Sequence, residues 1–336
     1  MVIVNGLQDT ISYDHEGIQP EERVLAVIYT LTLNPALDRT LRVRNLAFDD
    51  ANRVISEQRF AAGKGIDVSR VVIELGGSTV AFGFAGGYGG AELEGRLKQA
   101  GVPADFVHIG SETRTNVIVR DIETNSITAL NAAGPYATQV EYEQLLEKLK
   151  GYKYKSGFFV ISGSAPPGVP ADAYRDIINI VKGSNLRAVL DADGELLKKG
   201  IQGKPFMIKP NSHELRRLLG IDVEGIEQVQ TAATKLREMG VESVVVSMGA
   251  DGAVLVCEEG SFFAKPPKVE ALSPVGAGDS LVAGFVLGLD TGLSFCESLK
   301  LGVAAGAACA LTPGTELCKY EDVYMIRSEV QIEQLA

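Results

Sequence analysis

The sequence predicts an α/β fold: a mostly parallel central sheet with helices on both faces, and a second, small sheet beside it. Two patterns carry this. The run VLAVIYTLTL, residues 24–33, is continuously apolar and rich in β-branched residues, which suits a strand buried on both faces. From residue 65 onward helix-like and strand-like segments alternate, as a parallel sheet with crossover helices requires. By contrast TLRVRNL (40–46), RVISEQRF (53–60) and TNVIVRDIETNSITAL (115–130) alternate polar and apolar residues, the last with a turn at ETNS. Such half-exposed pieces predict a small sheet apart from the core.

In chain order, residues 1–24 are polar and turn-rich and form an N-terminal extension to a single domain over 25–336. Helices are expected over 65–76, 89–101, 171–183, 212–220 and 226–240. Strands are expected over 78–86, 158–164, 187–192, 206–211, 243–249 and 252–258. Behind the GAGD turn, Leu281, Val282, Phe285, Val286 and Leu289 recur at helical spacing. GVAAGAACALTPGTELC (302–318) reads as a small-residue helix packed closely in the core, and the helix before it opens on a Ser294-x-x-Glu297 capping box. Ligands of such folds sit at the carboxyl ends of strands, which points to the loops SGS, DAD, KPNSHE and SMGADG.

Composition narrows the partners. The 336 residues are 46% apolar, enough for a large core, and carry a net charge of −11. That balance argues against a nucleic acid or an anionic membrane surface as partner, and any positive charge for an anionic substrate must be local. No apolar run approaches the ~18 residues of a membrane span, and no basic stretch leads into a long apolar core at the N-terminus. Cys257, Cys296, Cys309 and Cys318 lie far apart without CxxC spacing, so free thiols in a reducing, cytoplasmic setting are expected. Three histidines leave little for a His-rich metal site.

Two phosphate-binding signatures fail. In AAGKGID the Gly-Lys pair is followed by Gly65 rather than Ser or Thr, and in GAGDSL Leu281 stands where a third Gly would be. The GAGD turn has its own logic. Glycines ahead of a helix expose N–H groups at the positive end of its dipole, which cradle an anion. Asp279 in that first turn is either a helix-start acid or the base that takes a hydroxyl proton beside the anion cradle.

Further motifs occur in order: TLTLNPALD (30–38), AAGKGIDVSRV (61–71), GGYGG (86–90), ETRTNV (112–117), ISGSAPPGV (161–169), KPNSHEL (209–215), VSMGADGA (246–253) and VGAGDSLVAG (275–284). Together they resemble the phosphofructokinase-B family of ribokinase-like sugar kinases, in its phosphorylated-ketohexose branch, over roughly residues 27–325. The resemblance implies a ribokinase-like three-layer αβα domain with a small β-sheet lid built from about 35–60 and 112–131. It implies ATP- and Mg²⁺-dependent phosphorylation of a ketohexose phosphate. Fructose 1-phosphate stands first, with fructose 6-phosphate and tagatose 6-phosphate as alternatives. An unphosphorylated sugar or nucleoside, or a non-catalytic sensor of sugar phosphates or nucleotides, are the rivals.

Carried onto this chain, the resemblance makes Asp279 the catalytic base and Gly276, Ala277 and Gly278 the anion hole. Asp38 would bind sugar hydroxyls, and Gly63, Lys64 and Asp67 would form the sugar loop, where the family usually has Asn in place of Asp67. Arg114 would clamp the sugar's phosphate, with Ser164 and Arg53 as weaker candidates for the same pocket. Lys209, Asn211, Ser247, Gly249, Asp251 and Gly252 resemble the ATP segment, and Asp191 a strand-end acid in the same cleft. Asn211 and Glu214, three residues apart, would organise the water shell of Mg²⁺, and the same pair also fits a helix capping box. In some relatives a monovalent cation such as K⁺ sits by the loop at Ser273 and Val275. A lid sheet with one apolar face implies a homodimer through paired lids, and a lid keeps water from the phosphoryl group.

Overall fold

The computed structural model describes residues 27–336; the predicted extension, residues 1–24, lies outside the described residues. The strands are β1 Val27–Thr32, β2 Ala36–Val43, β3 Ser56–Ala62, β4 Ser78–Gly86, β5 Ala104–Ile109, β6 Arg114–Asp121, β7 Ile127–Leu130, β8 Gly157–Ser162, β9 Arg187–Asp191, β10 Met207–Ile208, β11 Ser243–Ser247, β12 Ala253–Cys257, β13 Gly260–Lys265 and β14 Gln331–Leu335. The helices are α1 Lys64–Glu74, α2 Gly87–Gln99, α3 Gln139–Gly151, α4 Ala173–Lys182, α5 Gly194–Gly200, α6 Ser212–Leu219, α7 Gly225–Glu238, α8 Ala277–Asp290, α9 Phe295–Ala310 and α10 Tyr320–Glu329.

The large sheet runs β14-β13-β12-β11-β10-β9-β8-β1-β4-β5. It is parallel from β5 to β11 and antiparallel beyond. Apolar side chains of α3 to α7 pack on one face, and those of α1, α8, α9 and α10 on the other. This is the three-layer αβα arrangement. Ile28 and Leu31 of β1 are fully buried, as the unbroken apolar run requires of a central strand. The second sheet, β3-β2-β6-β7, is the lid, with β2 and β6 parallel and the outer pairs antiparallel. The β6–β7 hairpin turns at the expected ETNS, where Asn125 takes φ 55°, a conformation Asn tolerates better than most residues.

Two expectations fail in detail. The segment 302–318 is not one helix: α9 begins at Phe295 and ends at Ala310, and 311–318 is a loop. Pro313 and Gly314 follow the end closely, and Pro cannot continue a helix. The capping box at Ser294 is half formed. Ser294 Oγ accepts from the Glu297 amide at 3.2 Å, but the Glu297 carboxylate is drawn to Arg327 instead, at 3.0 Å.

The small residues of α8 and α9 have a steric cause. A Cβ on Gly302 would lie 2.7 Å from the Leu281 carbonyl, and one on Gly284 would lie 2.9 Å from the Leu301 carbonyl. The two backbones approach closely, and only glycine fits. This pair of helices fixes the start of α8, where Asp279 stands.

Candidate active site

Gly276 caps α8 with φ 80°. Glycine adopts this left-handed conformation without strain, and a Cβ there would also meet Leu317 at 2.6 Å. No side chain caps this helix start, which leaves first-turn N–H groups to an anion. A Cβ on Gly278 would lie 3.3 Å from Lys209 Nζ, so an ammonium stands beside the same turn.

Asp191, at the carboxyl end of β9, is fully buried. Its Oδ1 receives Lys64 Nζ at 3.2 Å and Lys209 Nζ at 3.3 Å, while its Oδ2 is buried without a partner. Burial opposes the charge on Asp191, but Lys209 and Lys64 outweigh it and hold the carboxyl below its usual range. Asp191 in turn holds Lys64 firmly protonated. Asp279 is 8% exposed, and burial, then Asp191, pushes its carboxyl well above the ordinary value against the pull of Lys64 and Lys209. A raised carboxyl at a helix start, flanked by two ammoniums, has the chemistry to exchange a proton beside a bound anion.

On the lid side, Asp38 pairs in register with Asn116 across β2 and β6. Asn116 donates to Asp38 Oδ1 at 2.8 Å, and both are nearly buried. Burial raises the Asp38 carboxyl, and the Asn116 bond, Arg114 and Arg70 pull it back. The Arg114 guanidinium is spoken for in part. It donates to the carbonyls of Ala132 at 2.7 Å, Asn34 at 2.8 Å and Pro35 at 3.4 Å. Two of its five N–H groups remain. Asn34 donates to Ser164 Oγ at 3.2 Å and to the Ala133 carbonyl at 2.9 Å, and its own Oδ1 is buried without a partner.

Gly63 precedes α1 at φ 129°, another glycine-only conformation. Asp67, one turn in, is held by Arg70 at 3.1 Å. Arg70 Nη1 also lies 3.4 Å from the carbonyls of Ala61 and Thr315, and its guanidinium stacks over Phe60 at 5.4 Å. It therefore ties α1 to the end of β3 and to the loop after α9. The charge of Asp67 is thus balanced locally rather than presented bare to a substrate. Arg53 lies exposed between β2 and β3.

On the other side of Asp191, Asn211 caps α6. Its Oδ1 accepts from the Glu214 amide at 2.8 Å, and Glu214 Oε2 accepts from the Asn211 amide at 2.8 Å. The capping box is complete, and among the described residues Glu214 Oε1 has no hydrogen-bond partner. Among the described residues no cluster of three or more acidic, His or Cys side chains could hold a metal directly. A hydrated Mg²⁺ reached through water fits this donor set, since that ion keeps several waters. Asn211 bridges to Ser247, and Gly249–Asp251 forms a single tight turn. Ser273 Oγ donates to the Gly314 carbonyl at 3.2 Å and accepts from the Val275 amide at 3.3 Å. The nearby Thr315 Oγ1 is buried without a partner, and such oxygen-rich loops suit a monovalent cation.

Three polar residues of this cleft lay outside the sequence assignment. Asn116 shares its strand face with Arg114 at a spacing of two, which the alternation of β6 signals. Arg70 is the i+3 neighbour of Asp67, a spacing that brings side chains together on a helix. Asn34 gave no signal beyond its place in NPALD.

The chain matches the family model described as pfkB family carbohydrate kinase over residues 27–322. It is 36% identical over 310 residues to a 1-phosphofructokinase of Borreliella burgdorferi, covering 92% of this chain and 99% of that one. It is 38% identical over 297 residues to an ATP-dependent 6-phosphofructokinase isozyme 2 of Mycobacterium tuberculosis, covering 88% and 87%. Among solved structures it resembles phosphofructokinase-2 of Escherichia coli in complex with potassium, with a TM-score of 0.86 at 34% identity, covering 90% and 99%. With motifs, fold and full-length relatives in agreement, the chain belongs to the pfkB family of carbohydrate kinases and is a sugar kinase.

Proposed function

We propose that this kinase transfers the γ-phosphoryl group of ATP to fructose 1-phosphate, forming fructose 1,6-bisphosphate. The observation that carries the choice is the near full-length identity to relatives named 1-phosphofructokinase. Asp279 accepts the proton of the attacking hydroxyl as the oxygen bonds to phosphorus, and ADP leaves with the broken bond's electrons. The α8 start at Gly276, Ala277 and Gly278, with Lys64 and Lys209 beside it, stabilises the charge that develops on the phosphoryl oxygens. Asp38 and Asn116 hold sugar hydroxyls, with Gly63, Asp67 and Ser164 lining the pocket. Arg114 uses its two remaining N–H groups on the sugar's phosphate. Asn211, Ser247, Gly249, Asp251 and Gly252 receive ATP, and Asn211 and Glu214 orient the waters of Mg²⁺, which neutralises phosphate charge when bound. The Ser273–Thr315 loops take a monovalent cation, in line with the potassium complex of the E. coli relative.

The lid also supports a homodimer. Val54 and Ile55 just before β3, and Ile127 and Leu130 on β7, are 42–59% exposed, and exposed apolar side chains gathered on the lid favour a second copy.

A second reading, fructose 6-phosphate as acceptor, is favoured by the 38% identity to the isozyme 2 relative. ADP release with Mg-ATP and each of fructose 1-phosphate, fructose 6-phosphate and tagatose 6-phosphate decides between them. A kcat/KM highest for fructose 1-phosphate upholds the first reading. A clear preference for fructose 6-phosphate replaces it, and no turnover with any of the three sinks both.

A further inference from the structure

We propose that the cavity beneath the outer half of the lid is a second ligand site, taking a small hydroxylated phosphate ester. The cavity is about 350 Å³ and lies between lid and body. The lid contributes Thr40, Arg42, Gln58 and Arg120, and the body contributes Leu272 and Glu316. The volume is within the range of small-molecule sites. It adjoins the kinase site without being part of it: along β2 Thr40 stands two residues and Arg42 four residues beyond Asp38, rises of ~7 and ~13 Å, and Gly314 separates it from the Ser273 loop.

The charge arrangement points to an anion. Arg42 and Arg120 are register partners on the parallel strands β2 and β6, so two like charges stand on neighbouring strands, an arrangement that is unfavourable without a counterion. Arg114, on β6, is spent on backbone carbonyls, and three other arginines of these strands and their edges are neutralised by acids. Arg39 and Arg59 both pair with Glu57, and Arg44 pairs with Glu123 at 3.1 Å. Among the described residues Arg42 and Arg120 have no acidic partner. Paired guanidiniums suit a phosphate, whose oxygens they bind in fork fashion.

A second observation is independent of charge. Thr40 lines this cavity and is 6% exposed, and among the described residues its Oγ1 is buried with no hydrogen-bond partner. An unmet buried hydroxyl is costly unless a ligand or water satisfies it. On the body side Glu316 accepts from Gln58 at 3.1 Å, and its carboxylate suits ligand hydroxyls while repelling a second phosphate. The site therefore selects one phosphate and one hydroxyl-bearing end. Because its walls belong to both lid and body, an occupant ties the two together.

The test is calorimetric titration of the full chain with glycerol 3-phosphate at low salt. It is run with and without a saturating amount of the sugar phosphate that turnover selects. The expected result is one binding event per chain that persists when the kinase site is filled. Arg42→Gln and Arg120→Gln each weaken it at least tenfold, Thr40→Val weakens it less, and kcat/KM of the kinase reaction in the absence of probe stays within about twofold. Loss of all binding once the kinase site is filled overturns the proposal, as does binding indifferent to both arginine variants. If the variants instead dissociate the assembly without changing probe binding, the arginines serve a second copy of the chain and the proposal falls. Inorganic phosphate binding as tightly as glycerol 3-phosphate removes the hydroxyl-bearing end from the assignment. A failed substrate assignment shows in the turnover assay and leaves the probe titration unaffected.

Discussion

Asp67 occupies the position where the family resemblance leads one to expect Asn, and replacing it with Asn isolates what its charge does. Its carboxyl is pushed from 3.8 up to about 7, first by burial, with Arg70 opposing and Asp38 adding to the push. A group raised in the folded state contributes stability that is complete below its unfolded value and is lost as pH rises through the folded one. For Asp67 that window runs from 3.8 to about 7. Between about pH 5 and about pH 8 the loss amounts to ~2–3 kcal/mol, from ~1.4 kcal/mol for each of about two units of differential protonation. The Asp67→Asn variant has no such slope, and the constant cost of leaving Arg70 without its acid enters at both pH values and cancels. Urea unfolding of this variant and the parent chain at both pH values reads the difference directly. The stability gap should shift in favour of the variant by ~2–3 kcal/mol on going to the higher pH. A gap that is constant to within ~0.5 kcal/mol would refute a raised Asp67 carboxyl.

Other outcomes follow from the same geometry. Asp279→Asn should leave ATP binding intact and cut kcat by ~10²-fold or more; near-normal turnover removes Asp279 as the base. Arg114→Ala should raise KM for the sugar phosphate by ~10-fold or more, the scale of a charged hydrogen bond, with KM for ATP unmoved; equal shifts in both would leave Arg114 only its three carbonyl contacts. Gly302→Ala drives a methyl group to 2.7 Å from the Leu281 carbonyl and should cost ~1–3 kcal/mol of stability, read as a lowered urea midpoint; an unchanged midpoint shows that α8 and α9 can move apart freely.

The elements with strong periodicity were legible in the sequence. The strand over 78–86 coincides with β4, and the helix–strand alternation from α1 onward gives the central sheet its parallel order. The C-terminal elements were not legible: β13 and β14 complete the sheet edge, with α10 packed on the face beside them, but β14 is half-exposed and short, and its pairing with β13 is a tertiary fact. At the site, the residues with unusual chemistry for their position stood out, such as Asp279 after three small residues and Lys64 between glycines. What did not stand out was how side chains are spent. Arg114 is anchored by backbone carbonyls, which every residue possesses and no sequence distinguishes. The two-lysine hold on Asp191 joins residues far apart in sequence, and only the fold brings them together.

The parallel pairing of β2 with β6 also bears on how the chain reaches its native state. Asp38 and Asn116 are partners across 78 positions, and the intervening chain contains β3, α1, β4, α2 and β5. Contacts of such sequence separation are slow to form, because a long loop must close before any pairing energy is gained. The central sheet makes distant pairings of its own, β1 with β8 at Val27 and Gly157, whereas helices such as α8 and α9 are neighbours in sequence and can form and pack first. The lid side of the cleft therefore assembles slowly, as the central sheet does, and during synthesis it cannot exist until β6 has emerged. A refolding experiment that follows helical content and activity together should see the activity lag behind.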